Sequence, residues 1–176
     1  VMILSDGVIG QMMEKVVLAD QRPRRTAEEI IAQDGDWALT GKTADRKEHV
    51  ITSLELDPYA QERFNEKLIA KYAKIRENEV RYEEFMTEDA DYIIVAFGSA
   101  ARICRMTVEM AREAGYKVGL VRPITLYPFP SKVLHDLAAR GVKGFLSAEL
   151  NHGQMVEDVR LAVNGQAPVE HYGRSG

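Results

Sequence analysis

The sequence predicts an α/β fold: a three-layer α/β/α domain whose sheet is mainly parallel and carries helices on both faces. Residues 92–97 form a continuous apolar run rich in β-branched side chains, which is typical of a strand covered on both faces. Strand-like runs follow at residues 118–121, 142–148 and 169–172, and helical patterns separate them. Because crossover helices join parallel strands, this alternation favours one mainly parallel sheet.

Three helices are expected between these strands. The first follows Gly98 and ends at Gly115, and it is expected to bury a stripe formed by Ile103, Thr107, Met110 and Ala114. The second begins at Ser131 and stops at Gly141, and the third covers residues 154–163.

Two segments precede the parts of the chain that have clear periodicity. Residues 1–19 are predicted to contain a strand, a turn and a helix that would end a different domain, so we expect a fragment of a longer protein. Residues 20–56 lose hydrophobic periodicity and are predicted to be a linker. Trp37 is the candidate anchor of this linker to a partner.

Residues 57–87 are predicted to form a long connecting helix that leads into the α/β domain at residues 88–176. Asp57 and Pro58 are a typical helix start, and the apolar stripe that follows contains Phe64, Leu68, Tyr72 and Ile75. The far end of this helix is strongly acidic. A solvated face is the simpler interpretation of these acids, and a docking patch for a basic partner is the alternative.

Composition excludes several classes of function. The chain has 176 residues with 23 basic and 27 acidic side chains, so it lacks the basic excess that nucleic-acid binding needs. No apolar run reaches the ~20 residues that cross a bilayer, which predicts a cytoplasmic protein without a membrane span. The single cysteine, Cys104, cannot hold an iron–sulfur cluster or an internal disulfide, and we expect it to fill the core.

The candidate functional residues lie where the predicted strands end, because ligands of open α/β sheets bind beyond the carboxyl ends of the strands. Three segments that follow strands, residues 98–102, 122–130 and 149–154, contribute candidate ligand or interface residues. These candidates are Ser99, Arg102, Arg122, Tyr127, Glu149 and Asn151. The turn at Gly98 could present N–H groups to an anion, but plain helix capping needs the same residues. Arg122 and Tyr127 lie in a loop that three prolines stiffen. We expect Arg122 to pair with Glu149 rather than with a ligand.

No catalytic residue and no metal ligand is expected among them. Glu149 and His152 supply only one copy of a motif that a di-iron site needs twice. The four histidines are scattered along the chain, at His49, His135, His152 and His171. Because no nucleotide-binding loop or nucleophile elbow is present either, the edge is predicted to be a binding or interface surface.

Four sequence motifs occur in order along the chain. They are TSLELD at residues 52–57, DADYIIVAFGSAAR at 89–102, VRPITLYPFP at 121–130 and ELNHGQM at 149–155. Lys71 and Tyr72 lie in the long helix between the first two. Together these motifs resemble the alpha subunit of 2-oxoacid:ferredoxin oxidoreductases, and the branched-chain type, which uses 3-methyl-2-oxobutanoate (2-oxoisovalerate), is the most similar.

The resemblance implies thiamine-diphosphate-dependent oxidative decarboxylation, in which a branched-chain 2-oxoacid and coenzyme A give an acyl-CoA while ferredoxin is reduced. It implies a hetero-oligomer with a diphosphate-binding subunit, a ferredoxin-like subunit and a gamma subunit, with ferredoxin as electron acceptor. Thiamine diphosphate, magnesium and the iron–sulfur clusters would belong to the complete complex, and this fragment alone is expected to bind none of them.

The resemblance also implies a domain map. Residues 1–19 would be the last strand and helix of a pyrimidine-binding domain, and residues 88–176 would be similar to the C-terminal domain of transketolases. Since no position matches a cofactor contact of the family, the isolated fragment is expected to be inactive and mainly structural, at subunit interfaces. Two alternatives stay open: a small-ligand module that binds an anionic group such as coenzyme A through Ser99, Arg122 and Asn151, or the 2-oxoglutarate or pyruvate type of the same family.

Overall fold

The sheet of this chain is parallel except at one edge, which confirms the predicted fold class. The computed structural model describes residues 1–5, 7–13, 15–38, 41, 44 and 52–175. The strands are β1 (Tyr82–Phe85), β2 (Tyr92–Val95), β3 (Val118–Pro123), β4 (Gly144–Glu149) and β5 (Val169–Gly173). Their spatial order is β1-β3-β2-β4-β5, with β1 antiparallel to β3 and the other pairs parallel.

The helices that the structure describes belong to the crossovers and to the upstream part of the chain. In chain order they are α1 (Gly7–Gln11), α2 (Ala27–Asp34), α3 (Pro58–Asn78), α4 (Gly98–Glu113), α5 (Ser131–Ala139) and α6 (Met155–Val163). None of them is long and apolar enough to cross a membrane.

Alternate residues of the strands face two separate cores. On one face, Ile93, Val95 and Phe145 pack with residues of α5 and α6. On the other face, Ile94 and Leu120 pack with residues of α4. Because successive side chains of a strand point to opposite faces, the continuous apolar run of β2 fills both cores at once.

The buried side of α4 differs from the predicted stripe. Ala100, Ala101, Cys104 and Val108 are buried, whereas Ile103, Thr107, Met110 and Ala114 are exposed. Small residues let the helix lie close to the sheet, so the larger apolar side chains are turned outward. The prediction for Cys104 is confirmed, since it lies in this core.

The long connecting helix ends earlier than predicted. It begins at Pro58 as expected, and Asp57 Oδ1 accepts a hydrogen bond from Tyr59 N at 3.0 Å. The helix stops at Asn78, and the segment that follows forms β1 instead of continuing to residue 87. Pairing with β3 decides this outcome, because it satisfies the β1 backbone in the sheet.

Four acidic residues in the segment predicted as the acidic end of the helix, and just after it, are paired within the domain. Each lies within 4.0 Å of a basic group, in the pairs Glu79–Arg81, Glu83–Arg122, Asp89–Arg112 and Asp91–Lys143. Exposed pairs of this kind add little stability, but they neutralise the local charge. This pairing reduces the net negative charge of the surface, and it therefore weakens the alternative interpretation of the acids as a docking patch for a basic partner.

The upstream part of the chain contains helices that the sequence analysis did not place. The chain divides into two compact units, Val1–Met12 with Lys67–Gly176 and Met13–Glu66. Residues 1–5 form no strand, and a helix lies at Gly7–Gln11, whereas residues 12–13 and 15–19 of the predicted helix are not helical. Within the predicted linker, α2 begins with a capping box of Thr26 and Glu29.

Residues 39–40, 42–43 and 45–51 of the predicted linker, which include His49, lie outside the described residues. Trp37 is exposed, so its role as an anchor stays a prediction. The division into segments 1–19, 20–56, 57–87 and 88–176 also stays a prediction.

Candidate functional site

The candidate site lies at the point where the strand order reverses. The connection that leaves β2 runs through α4 to β3 on one side, and β4 pairs with β2 on its other side. In doubly wound sheets such a switch point opens a crevice beyond the carboxyl ends of the two central strands. Ser99 follows β2 at this edge, and Glu149 and Asn151 lie at the end of β4.

Glu149 is the centre of the hydrogen bonding at this edge. Its side chain is fully buried and accepts three backbone hydrogen bonds from the start of α6. Oε2 accepts from Gln154 N at 3.1 Å and from Met155 N at 2.8 Å, and Oε1 accepts from Val156 N at 2.9 Å. The carboxylate therefore satisfies N–H groups that have no partner inside the helix, and its charge opposes the positive end of the helix dipole.

The electrostatics of Glu149 follow from these contacts. Burial by itself raises the pKa of this carboxyl, but hydrogen bonds from the α6 backbone, Ser147 and Asn151 outweigh burial and hold the pKa below its ordinary value. Asp158 lies one turn into α6. Burial raises the pKa of its carboxyl, and the nearby carboxylates of Glu149 and Glu157 raise it further. Glu149 is therefore the stable anion of this site.

Two further polar residues lie on the same face: Ser147, which the sequence analysis did not single out, and His171, which it counted only among the scattered histidines. Ser147 Oγ donates to Glu149 Oε1 at 2.9 Å, and His171, which pairs in register with Ser147, brings Nε2 to 3.9 Å from the same oxygen. His171 Nε2 is buried, with no hydrogen-bond partner among the described residues. The sequence could have placed Ser147 and Glu149 on the same face of β4, because they are two residues apart on one strand. Only the register between β4 and β5 shows that His171 lies beside them.

The loop after β4 has its own supports. Asn151 Oδ1 accepts from Gly153 N at 2.7 Å, and Gly153 has a φ of 104° that favours glycine. A Cβ on Gly173 would lie 2.0 Å from Asn151 O and 2.6 Å from His171 Cε1. The close approach of β5 to this loop therefore needs a glycine at position 173.

The predicted pair between Arg122 and Glu149 does not form, so that expectation was wrong. Arg122 Nη1 lies 2.8 Å from Glu83 Oε2 on β1. β2 separates β3 from β4, and Arg122 falls on the α4 face of the sheet while Glu149 falls on the α5–α6 face. Strand alternation thus keeps the two charges apart.

The remaining candidates occupy the rim of the edge. Tyr127 is exposed, and its ring lies edge-on to Tyr72 of α3, with a centroid distance of 6.1 Å and an angle of 85°. Ser99 is half-buried and Arg102 is exposed on the first turns of α4. The structure brings Glu149 and Asn151 together, whereas Arg122 and Tyr127 belong to the end of β3.

This arrangement organises backbone rather than reacting groups. Ser147 donates its hydroxyl hydrogen to Glu149, and Glu149 in turn accepts from the backbone of α6. Burial raises the pKa of the Cys104 thiol, which keeps the thiol protonated. Within the part of the chain that the structure describes, no group of three histidine, cysteine or acidic side chains could hold a metal ion. The side chains present at this edge do not fit a magnesium–diphosphate site.

Comparison with known proteins gives a consistent family signal. A family model described as pyruvate:ferredoxin oxidoreductase core domain II matches residues 90–176. The ketoisovalerate oxidoreductase subunit VorB of Methanothermobacter thermautotrophicus is 44% identical over 178 residues, covering 100% of this chain and 47% of that protein. The pyruvate synthase subunit PorA of Pyrococcus furiosus is 40% identical over 92 residues, covering 51% of this chain and 21% of that protein.

A solved structure shares the fold. It is a 2-oxoglutarate:ferredoxin oxidoreductase from Magnetococcus marinus with 2-oxoglutarate, coenzyme A and succinyl-CoA bound. The TM-score is 0.59 at 19% identity, over 76% of this chain and 24% of that chain. The present chain spans about half the length of the ketoisovalerate oxidoreductase subunits that it matches.

Proposed function

This chain belongs to the 2-oxoacid:ferredoxin oxidoreductase family, with core domain II at residues 90–176, and we propose that it is part of a subunit of the branched-chain type. The observation that carries the substrate class is the 44% identity to ketoisovalerate oxidoreductase subunits over the whole chain. The 2-oxoglutarate synthase subunits that also match are 27% to 30% identical. The substrate would accordingly be 3-methyl-2-oxobutanoate, with ferredoxin as acceptor.

The role of this part of the subunit is structural and interfacial. Thiamine diphosphate would supply the decarboxylation chemistry of the family where it is bound in the complete complex. We assign the binding of that cofactor, its magnesium and the iron–sulfur clusters to other parts of a cytoplasmic complex with diphosphate-binding, ferredoxin-like and gamma subunits. The support is that Glu149, the buried anion of the site, is fully used in holding α6.

The substrate class is tested with the complete complex. The full-length subunit is produced together with its partner subunits, and 2-oxoacid-dependent reduction of ferredoxin or a viologen dye is measured with coenzyme A. We expect kcat/KM for 3-methyl-2-oxobutanoate to exceed the values for pyruvate and 2-oxoglutarate by about tenfold or more, since pocket shape alone discriminates side chains to that degree. A preference for pyruvate or 2-oxoglutarate would reassign the type while keeping the family.

The same assay on the isolated chain is expected to show no turnover. The chain is supplied with thiamine diphosphate, magnesium, coenzyme A and each 2-oxoacid. Any dye reduction that depends on the 2-oxoacid would contradict the structural role.

A small-ligand role for this edge is the alternative. One observation favours it: α4 has no side-chain hydrogen bond at its N-cap, Phe97, and no acidic residue in its first turn, unlike α6 with its Glu149 carboxylate. Isothermal titration of the isolated chain with coenzyme A separates the two roles. We expect no heat of binding, and a saturable signal that the Asn151→Ala variant weakens would favour the ligand module.

A further inference from the structure

A cleft of about 370 Å³ lies between the edge strand β1 and helix α5. Tyr82 and Glu84 line it from β1, and Val133, Leu137 and Arg140 line it from α5. Its volume falls in the range of small-molecule sites, which is about 300–1,000 Å³. None of these residues contributes to the site at the carboxyl ends of β2 and β4, so the cleft is a separate feature of the domain.

The floor of the cleft is apolar. Val133 and Leu137 belong to the core on the α5 side of the sheet, and they are 7% and 4% exposed. Tyr82 lines the same cleft and is partly exposed. An apolar group that entered the cleft would leave water and contact these carbon atoms, so the floor favours a ligand that carries such a group.

Two opposite charges are held at the cleft by one buried residue, Thr87, which is 2% exposed. The Thr87 hydroxyl donates to Glu84 Oε2 at 2.6 Å, and the Thr87 carbonyl accepts a hydrogen bond from Arg140 Nη2. Since both bonds end on a buried residue, the carboxylate and the guanidinium are positioned before any ligand binds.

Both charged groups keep hydrogen-bonding capacity for a ligand. A guanidinium has five N–H donors and a carboxylate has about four acceptor positions, and Thr87 uses one of each. Among the described residues, no ion pair within 4.0 Å joins Glu84 to a basic group. The other cation of the cleft, Lys132, pairs with Asp136 one turn along α5. The cleft therefore presents an anion and a cation that do not neutralise each other, beside an apolar floor.

We propose that this cleft binds a free α-amino acid with an apolar side chain. The ammonium group of the ligand donates to Glu84, its carboxylate accepts from Arg140, and its side chain lies over the apolar floor. An α-amino acid carries both charges on one carbon, so it can bridge two protein groups that do not pair with each other. The inference does not depend on which 2-oxoacid the complex uses.

Ligands with a single charge fit the cleft less well. A carboxylate alone would bring its charge close to Glu84 without a compensating cation, and an amine alone would bring its charge close to Arg140. A zwitterion avoids both repulsions, and this difference provides the test.

Isothermal titration of the assembled complex with L-leucine, without 2-oxoacid or coenzyme A, measures the binding. Two analogues lack one charge each: 4-methylpentanoate has no ammonium group, and 3-methylbutylamine has no carboxylate. We expect saturable binding of L-leucine at one site per copy of this subunit. Each analogue is expected to bind about tenfold more weakly or worse, because each loses one charge-assisted hydrogen bond.

A pair of variants on β1 locates the binding. Glu84→Gln removes the charge that faces the ammonium group, and we expect it to weaken L-leucine binding by about tenfold. The matched control is Glu83→Gln, which changes the neighbouring residue on the opposite face of the sheet, where it pairs with Arg122. This control should leave the affinity unchanged, and since both side chains are exposed, both variants should fold.

Each of the remaining results overturns the inference. The absence of saturable heat up to about 10 mM L-leucine would show that the cleft binds no amino acid in the complex. Equal affinity for 4-methylpentanoate would make it an anion site, and equal affinity for 3-methylbutylamine would make it a cation site. Equal effects of the two variants would place the bound L-leucine elsewhere. If the complex turns over 3-methyl-2-oxobutanoate in any of these cases, the inference fails and the proposed function stands.

Discussion

Glu149→Gln is expected to lower the free energy of unfolding of the α/β domain by about 3 kcal/mol, because hydrogen bonds to a buried charged group contribute about 1.5–3 kcal/mol each. The carboxylate accepts from three backbone N–H groups of α6 and from the Ser147 hydroxyl. An amide of the same shape has one acceptor oxygen, and its NH2 group would face a backbone donor. Urea unfolding followed by circular dichroism measures the loss.

A surface carboxylate in the same helix provides the control. Glu157 is exposed and lies 2.8 Å from Arg160 in an ion pair within α6. Glu157→Gln is expected to change the free energy of unfolding by no more than about 0.5 kcal/mol. Equal losses in the two variants would show that Glu149 has no special role at the start of α6.

The same carboxylate makes the stability of the domain depend on pH. Since folding lowers the pKa of Glu149 below its ordinary value of 4.5, its contribution is complete above that pH and is lost as the pH falls through the lower folded value. The wild-type chain should therefore lose stability more steeply below pH 4.5 than Glu149→Gln, which has no carboxyl to protonate there. Parallel pH profiles of the two proteins would contradict this assignment.

Gly119→Ala is expected to cost about 3 kcal/mol, as overpacking against rigid backbone does. A Cβ at this position of β3 would lie 2.6 Å from Met86 O and 3.0 Å from Thr87 Cα. Both atoms belong to the backbone between β1 and β2, and the Met86 carbonyl also accepts from Arg112. The clash cannot be relieved by a rotamer change, so the strand or the connection must move.

Gly144→Ala is the matched control for that substitution. Gly144 is also a buried strand glycine, but the nearest atom to its Cβ would be 3.6 Å away, in ordinary van der Waals contact. We expect a change within about 1 kcal/mol, of either sign. Thermal unfolding of the two variants decides the matter, and a loss in Gly144→Ala as large as in Gly119→Ala would show that close backbone approach is not the cause.

Most of the central sheet could be predicted because its signals are local. The apolar run at residues 92–97 became β2, and Ser131 begins α5 as expected. Turns at Gly115 and Gly141 have positive φ values, which is why these glycines mark the ends of α4 and α5. The capping box at Thr26 was an equally local signal for α2, but the surrounding polar sequence concealed it.

The predictions that were wrong depended on which elements become neighbours. The buried side of α4 could not be chosen from spacing alone, because both the stripe of Ile103 and Met110 and the stripe of Ala101, Cys104 and Val108 have helical periodicity. Close packing on the sheet selected the smaller side chains. In the same way, β1 exists because β3 offers it an edge, and helical spacing could not reveal that edge.

Local sequence patterns were enough to predict the α/β class, the order of the central strands and helices along the chain, and the resemblance to the family. These properties are encoded in residues close together in the chain, through periodicity, glycine turns and apolar runs. The tertiary structure alone decided that Glu149 binds the start of α6, that Arg122 pairs with Glu83, and that Ser147 and His171 meet at one edge. Those contacts depend on strand order and register, and a shift of one residue in register moves every side chain of a strand to the opposite face.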